Sequence, residues 1–227
     1  MQLSDLFNYL RAGELSQLIS STDENRDSQI ITNINLGLIE LYKRFPIKLS
    51  EVIVQLNNRI THYTISSSHA ESNRPIGNTS PEFYVVDSPY YPFKDDLNQI
   101  EVVYNEDGEE LPLNDDNLTY SLFNVGHNVL LHPYPENENA ISVIYRASAP
   151  LLLVDGGLTQ TVEIPDHLVE LLTSYVAYKT FSAINMSSPE ATGYFSKFET
   201  SCNLINNLGL ISKSNNTNLR LEINGWV

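Results

Sequence analysis

The chain has 227 residues, 41% of them hydrophobic and 18% charged, with 10 Gly, 11 Pro and a single Cys. Such a composition excludes collagen-like, coiled-coil and disordered chains, and at this length folding buries about 70% of the unfolded surface, enough for one or two cores. The formal net charge is -15, and residues 82–139 hold thirteen acids against one base, Lys94, so that stretch alone carries -12 and argues against any function that grips DNA or RNA by its phosphates.

In chain order, Leu3, Leu6, Phe7, Leu10, Leu15 and Leu18 recur at helical spacing over residues 3–19, with Gly13 breaking the run into two pieces. A second helix starts from Asp27 or Ser28 as N-cap. It carries Ile30, Ile31, Ile34, Leu38, Leu41, Tyr42 and Phe45 on one face and stops at Pro46. The hydrophobic period then falls from 3.6 to 2. Val52, Val54 and Leu56, and then Ile60, His62 and Thr64, predict two strands joined near Asn57-Asn58. Further strands are expected around Phe83–Val86 and Ile100–Tyr104. Asp107-Gly108 predicts a type I′ hairpin turn into a strand beginning at Leu111 and Leu113. A hairpin around Gly126-His127 and a strand at 141–146 complete six to eight short strands, a pattern that fits a small barrel or sandwich.

Helical periodicity returns after Pro165, where Leu168, Leu171, Leu172, Tyr175 and Val176 form an apolar face behind Asp166 at the positive end of the dipole. The last helix has Ser188 as N-cap, Pro189 at the first turn, a stripe of Ala191, Tyr194, Phe195, Phe198, Cys202, Ile205 and Leu208, and Gly209 as C′. The expected fold class is therefore α+β. Helices at 1–46 and 151–211 form one bundle with a core that includes Ile34, Leu41, Leu172, Tyr175, Phe195 and Phe198, and the acidic residues 47–150 form a large antiparallel β insert. Residues 212–227 read as a polar spacer and an extended tail, in which Leu219, Leu221 and Ile223 alternate with polar residues before Trp226.

Few residue patterns suggest chemistry. There is no G-x-S-x-G elbow, and Cys202 falls on the apolar stripe of a helix. The histidines at 62, 69, 127, 132 and 167 lack metal-ligand spacing, and an EF-hand laid from Asn105 puts Glu110 at the glycine position, so no metal is expected. No phosphate-binding glycine loop follows a strand, and no cofactor or catalytic residue is assigned. Membrane insertion and secretion are not expected, because no apolar run reaches about 18 residues and the start carries Asp5, Asn8 and Arg11. One cysteine excludes an internal disulfide and fits synthesis in a reducing cytoplasm.

The stretch EIPDHLVELLTSYVAYKTFSAI at 163–184, followed by EATGYFSKFETSCNLINNLGL at 190–210, resembles the C-terminal helical pair of tailed-bacteriophage head-to-tail connector (adaptor) proteins, and VIYRASAPLLL at 143–153 is similar to the segment that leads into that pair. The β insert is larger than in the compact helical members of that family. The resemblance implies a non-enzymatic virion protein of the neck, assembled in the host cytoplasm. It implies a homo-oligomeric ring, usually of twelve copies, that binds the portal on one side and the next tail or nozzle protein on the other while DNA passes through unbound. In such a ring Leu219, Leu221, Ile223 and Trp226 are the candidate portal-docking tail, and Glu109, Glu110, Asp115 and Asp116 are candidate acids facing the channel or tail. Folding of the tail strand back onto its own β region is the competing expectation, and for the acids it is a solvated surface that keeps the chain soluble. The alternative function is a β-domain module or a tail or capsid accessory protein that binds saccharide or protein through some of the thirteen tyrosines. A hydrolase built on paired carboxylates is a third.

Overall fold

In the computed structural model, which describes residues 1–18, 24–135, 139–185 and 188–209, helices lie at both ends of the described chain and strands between them. The described residues form four helices and two antiparallel sheets, an α+β arrangement. They divide into two units, one of Met1–Ile47 with the described part of Ala149–Lys213, the other of Lys48–Ser148.

In the first unit, α1 (Leu3–Ala12) opens with the Gln2 N–H donating to the Asp5 carboxylate at 3.2 Å. It ends at Gly13, whose N–H reaches the Tyr9 carbonyl, and the piece beyond Gly13 is a turn that buries Leu15. Helix α2 (Glu24–Arg44) begins before both expected N-caps. The reason is tertiary: Arg11 of α1 holds both carboxylate oxygens of Asp27 at 3.2 Å, so Asp27 serves an ion pair from inside the helix rather than capping its end. After Pro165 one 3-10 turn (Asp166–Leu168) leads into α3 (Val169–Ile184). Helix α4 (Pro189–Leu208) has the expected ends: Ser188 Oγ accepts the Ala191 N–H at 3.0 Å, and Gly209 closes the helix at φ 62°.

One apolar core draws on all four helices. Phe7 and Leu10 of α1, Ile34 and Leu41 of α2, Leu172 and Val176 of α3, and Phe198 and Cys202 of α4 all belong to it. Helices α2 and α3 approach so closely at Gly37 that a Cβ there would sit 2.6 Å from Leu172 Cδ1 and 3.2 Å from the Tyr175 ring. Two of the expected core residues differ from the others. Tyr175 is half-buried at the core's edge, and Phe195, expected inside, is 40% exposed. The cause is helix phase. Phe198, Cys202 and Ile205 point inward, while Phe195 lies toward the rim of the stripe against the Tyr178 ring, 4.9 Å between centroids.

The second unit holds β1 (Leu49–Gln55), β2 (His62–Thr64), β3 (Val85–Val86), β4 (Leu97–Tyr104), β5 (Glu110–Leu111), β6 (Phe123–Gly126), β7 (Val129–Leu131) and β8 (Ala140–Ala147). Their order is β3-β1-β8-β4-β5 in one sheet and β2-β7-β6 in the other, two open sheets in place of a closed barrel. Val54, Val103 and Val143 from the first and Tyr63 and Leu130 from the second meet in one core. The first two strands, joined through Asn57-Asn58 as expected, lie in different sheets. β1 runs beside β8 from Leu49↔Arg146 to Gln55↔Ala140, and β2 pairs with β7. Tyr63 makes this possible, because its buried hydroxyl accepts the Asn57 N–H at 2.9 Å and donates to the Asn57 carbonyl at 3.1 Å, satisfying the backbone where the chain changes sheets. At the β4–β5 turn Gly108 alone takes a left-handed φ, 81°, so the type I′ expectation is replaced by a longer loop closed by the Asn105 N–H on the Glu109 carbonyl.

The burial difference sets an expected outcome. Phe198→Ala lowers the unfolding free energy by about 3–5 kcal/mol in urea denaturation, as loss of a fully buried ring does. Phe195→Ala costs about 1 kcal/mol, the scale of one aromatic pair at the surface.

Candidate functional site

The acids singled out by charge lie on the β4–β5 hairpin and the loop that follows it, and hydrogen bonding divides them. Glu109 is built into the turn: its N–H donates to Asn105 Oδ1 at 2.8 Å and its carboxylate accepts from Asn105 Nδ2 at 3.2 Å. Asp115 is half-buried. Its Oδ1 accepts both the backbone and side-chain N–H groups of Asn117 at 3.0 Å, and its own N–H donates to Ser121 Oγ. Glu106 accepts the Ala140 N–H at 2.6 Å. These are the local side-chain bonds by which Asp, Asn and Glu shape turns. Glu110 and Asp116 stand exposed, as does Asp107 at the hairpin tip. The structure thus places the four candidates along one stretch but leaves Glu110 and Asp116 as the pair most open to a field or a partner.

The other expected site residues fall elsewhere. Leu219, Leu221, Ile223 and Trp226 lie outside the described residues. Ile34, Leu41, Leu172 and Phe198 are fully buried among the helices, with Tyr175 and Phe195 at their margin. Cys202 is buried in the same core, where loss of solvation pushes its thiol up to about 11 and keeps it protonated. His69 stacks on Tyr84, 4.8 Å between centroids and 13° between planes, with Nδ1 at 2.9 Å from the Glu82 carbonyl. Among the described residues no group of three His, Cys, Asp or Glu is placed to hold a metal ion, and no helix is long and apolar enough to cross a membrane. A cavity of about 460 Å³ between α2 and α3 is lined by Leu18, Asn33, Thr180 and Ile184, with Arg26 its one titratable side chain among the described residues.

Two surface features had not been singled out from the sequence. The segment Ser88–Pro92 presents Tyr90 and Tyr91 at 89% and 85% exposure. It is flanked by Asp87, whose carboxylate accepts the Ser72 N–H at 2.7 Å, the Ser72 hydroxyl at 2.6 Å and the Phe93 N–H at 2.9 Å. Burial pushes the Asp87 carboxyl up, but the bonds from Ser72 and Phe93 outweigh it and hold the group below its ordinary 3.8. The paired tyrosines between two prolines were the available signal. The second feature is the run Leu151–Val154, which exposes Leu151, Leu153 and Val154.

No protein-family model matches the chain, and no curated protein matches it.

The Asp87 clamp carries a pH dependence whose sign follows from its direction. A carboxyl with a lowered folded pKa contributes stability above its ordinary value and loses it as pH falls through the folded value. Asp87→Asn is therefore less stable than the parent at pH 7, and the gap between the two narrows as the pH is taken below 3.8, read as unfolding midpoints in urea at each pH.

Proposed function

We propose that the chain is a structural subunit of a tailed-phage head-to-tail connector, a homo-oligomeric ring that joins the portal to the tail and continues the DNA channel. On this reading the terminal helices form the bundle of the family and residues 48–148 are a β insert within it. The observation that supports it most directly is that the segment carrying the resemblance, 163–210, corresponds to α3 and α4, the helices whose core also takes in α1 and α2 from the other end of the chain. A connector also needs a surface past which DNA moves without sticking. The exposed Glu110 and Asp116, in a stretch of charge -12, suit that task, since a ring multiplies the local negative potential.

A second reading, a module that binds saccharide or protein, is favoured by the exposed Tyr90 and Tyr91, which offer stacking area at low entropic cost. Electron microscopy of the chain mixed with its portal protein separates the two. A ring seated on the portal supports the connector, and a chain that stays off the portal supports the module.

Two outcomes follow from the connector reading. Glu110→Lys with Asp116→Lys slows DNA ejection from otherwise intact particles, because attraction replaces repulsion along the channel, while the parent protein does not retard DNA in a gel at physiological salt. Deleting residues 213–227 leaves a folded protein that no longer joins the portal, as pull-down on purified portal reads; a truncated chain that still joins removes the docking role of Leu219, Leu221, Ile223 and Trp226.

A further inference from the structure

The first unit leaves aliphatic side chains in water on two different helices. On α2, Leu36 and Ile39 lie on the side opposite the buried stripe of Ile34, Leu38 and Leu41. The segment after β8 runs alongside them. Asn35 Nδ2 donates to the Leu152 carbonyl at 2.9 Å and the Leu152 N–H returns to Asn35 Oδ1 at 2.8 Å, which pins Leu151 and Leu153 beside the outer face of α2. Gln160 then folds the loop back, bonding the Leu153 N–H and carbonyl and the Gly157 carbonyl at 2.8, 2.8 and 2.9 Å. Leu36, Ile39, Leu151, Leu153, Val154 and Leu158 are between 39% and 70% exposed on a backbone that is hydrogen-bonded into place. On α4, Leu204 and Leu208 stand one turn apart, 57% and 60% exposed, off the buried stripe of Phe198, Cys202 and Ile205. Helices α2 and α4 both pack on α3, α2 through Gly37 on Leu172 and Tyr175, α4 through Phe198 on Tyr175.

From these two faces we infer that the chain associates with a second copy of itself head to tail, the α2 face with residues 151–158 of one copy meeting the α4 flank of the next. The inference rests on the ring proposed above and names the surfaces that build it. Charge decides for a second copy over another partner. Each copy carries -15, so copies can approach only through surface where aliphatic area outweighs charge, and the exposed charges beside the α2 face, Lys43 with Asp155, Asp5 and Glu163 among them, are of both signs and few against its six aliphatic residues. A basic partner would be steered to the carboxylates of residues 82–139 instead. Area agrees. The six aliphatic residues expose on the order of 500 Å², the size at which patches mark interaction sites and close to the apolar centre of one side of a standard interface, about 60% of roughly 800 Å². Two unlike faces are what a heterologous contact requires, whereas a two-fold dimer needs one self-complementary face.

Sedimentation equilibrium of the full chain at rising concentration tests this. The parent self-associates, and Leu36→Lys with Ile39→Lys, or Leu204→Lys with Leu208→Lys, weakens association at least about tenfold while thermal unfolding is unchanged. Mixing the two variants restores a 1:1 complex that grows no further, because each supplies the one face the other lacks. Should a lysine variant fail to fold, Leu36→Ala with Ile39→Ala reads the same contact with a smaller loss. A parent that stays monomeric at every concentration, variants that associate like the parent, or a mixture that yields no 1:1 complex overturns the inference. Rings seen on the portal and unaffected by these substitutions would overturn the surfaces but not the ring. Open chains formed through them would overturn the ring but not the surfaces.

Discussion

The apolar seam along α3 is the contact on which the first unit depends. Leu172 and Val176 are fully buried there, and Leu172 fits only because position 37 of α2 has no side chain to occupy the space it fills. Residues more than a hundred positions apart in sequence are thereby held in one core, at a large loop-closure cost that only many simultaneous apolar contacts offset. Arg44 reinforces the seam from its edge. Its guanidinium bonds Glu40 at 2.6 Å and Glu199 of α4 at 2.7 Å while lying over the Phe198 ring, 4.9 Å from the centroid. Side-chain bonding by Glu199 is the main reason its pKa rises, and the same bond holds the Glu199 carboxyl below its ordinary value. A buried hydroxyl of α2 is satisfied by backbone: the Tyr42 hydroxyl donates to the Glu163 carbonyl at 2.7 Å, and burial pushes its pKa up to about 12.

The β unit solves a different problem. Its strands are short, and several are only two or three residues long, so ladder hydrogen bonds alone fix little of it. Side chains do the rest. Tyr63 and Tyr84 meet edge to face with centroids 5.0 Å apart; Tyr63 satisfies the backbone of Asn57 and Tyr84 that of Thr64. Asp87 and Asp95 both grip serines of the 67–72 segment, and Tyr145 donates to Asp96 at 2.7 Å. Many of the acids that make this region so negative are thus structural, which is why net charge by itself overstates the number of carboxylates available to a partner.

The proposed function draws on the surfaces of both units. The exposed acids of the β unit repel a polyanion, and the aliphatic faces of the helical unit carry less of that repulsion. In the ring proposed above, cohesion is assigned to the helices and the field to the strands. The exposed Tyr90–Tyr91 pair is a distinct feature of the β unit, and Asp87 beside it is bonded to Ser72 and Phe93.

Local pattern was enough for the helix ends that carry their own chemistry. Ser188 and Pro189 begin α4 and Gly209 ends it, and Pro46 stops α2, because capping and left-handed closure depend on one or two residues. The alternation at 52–56 and the apolar run at 141–146 likewise specified strands, and the apolar period specified which faces of α2 and α4 are buried, apart from Phe195 and Leu208, both expected on the α4 stripe and both exposed. Partnership was not legible. That β1 lies beside β8 and not β2 follows from a ladder of seven residues outcompeting a neighbour in sequence, with Tyr63 satisfying the turn between them. That Asp27 pairs with Arg11 instead of capping α2, and that Asp115 and Glu109 bond inside turns, depend on which groups the fold brings within 3 Å or so. Leu151 and Leu153 show the same limit most plainly. An apolar residue in sequence is a candidate for burial, but a loop pinned by Asn35 and Gln160 holds these two in water, and only the tertiary bonds decide that.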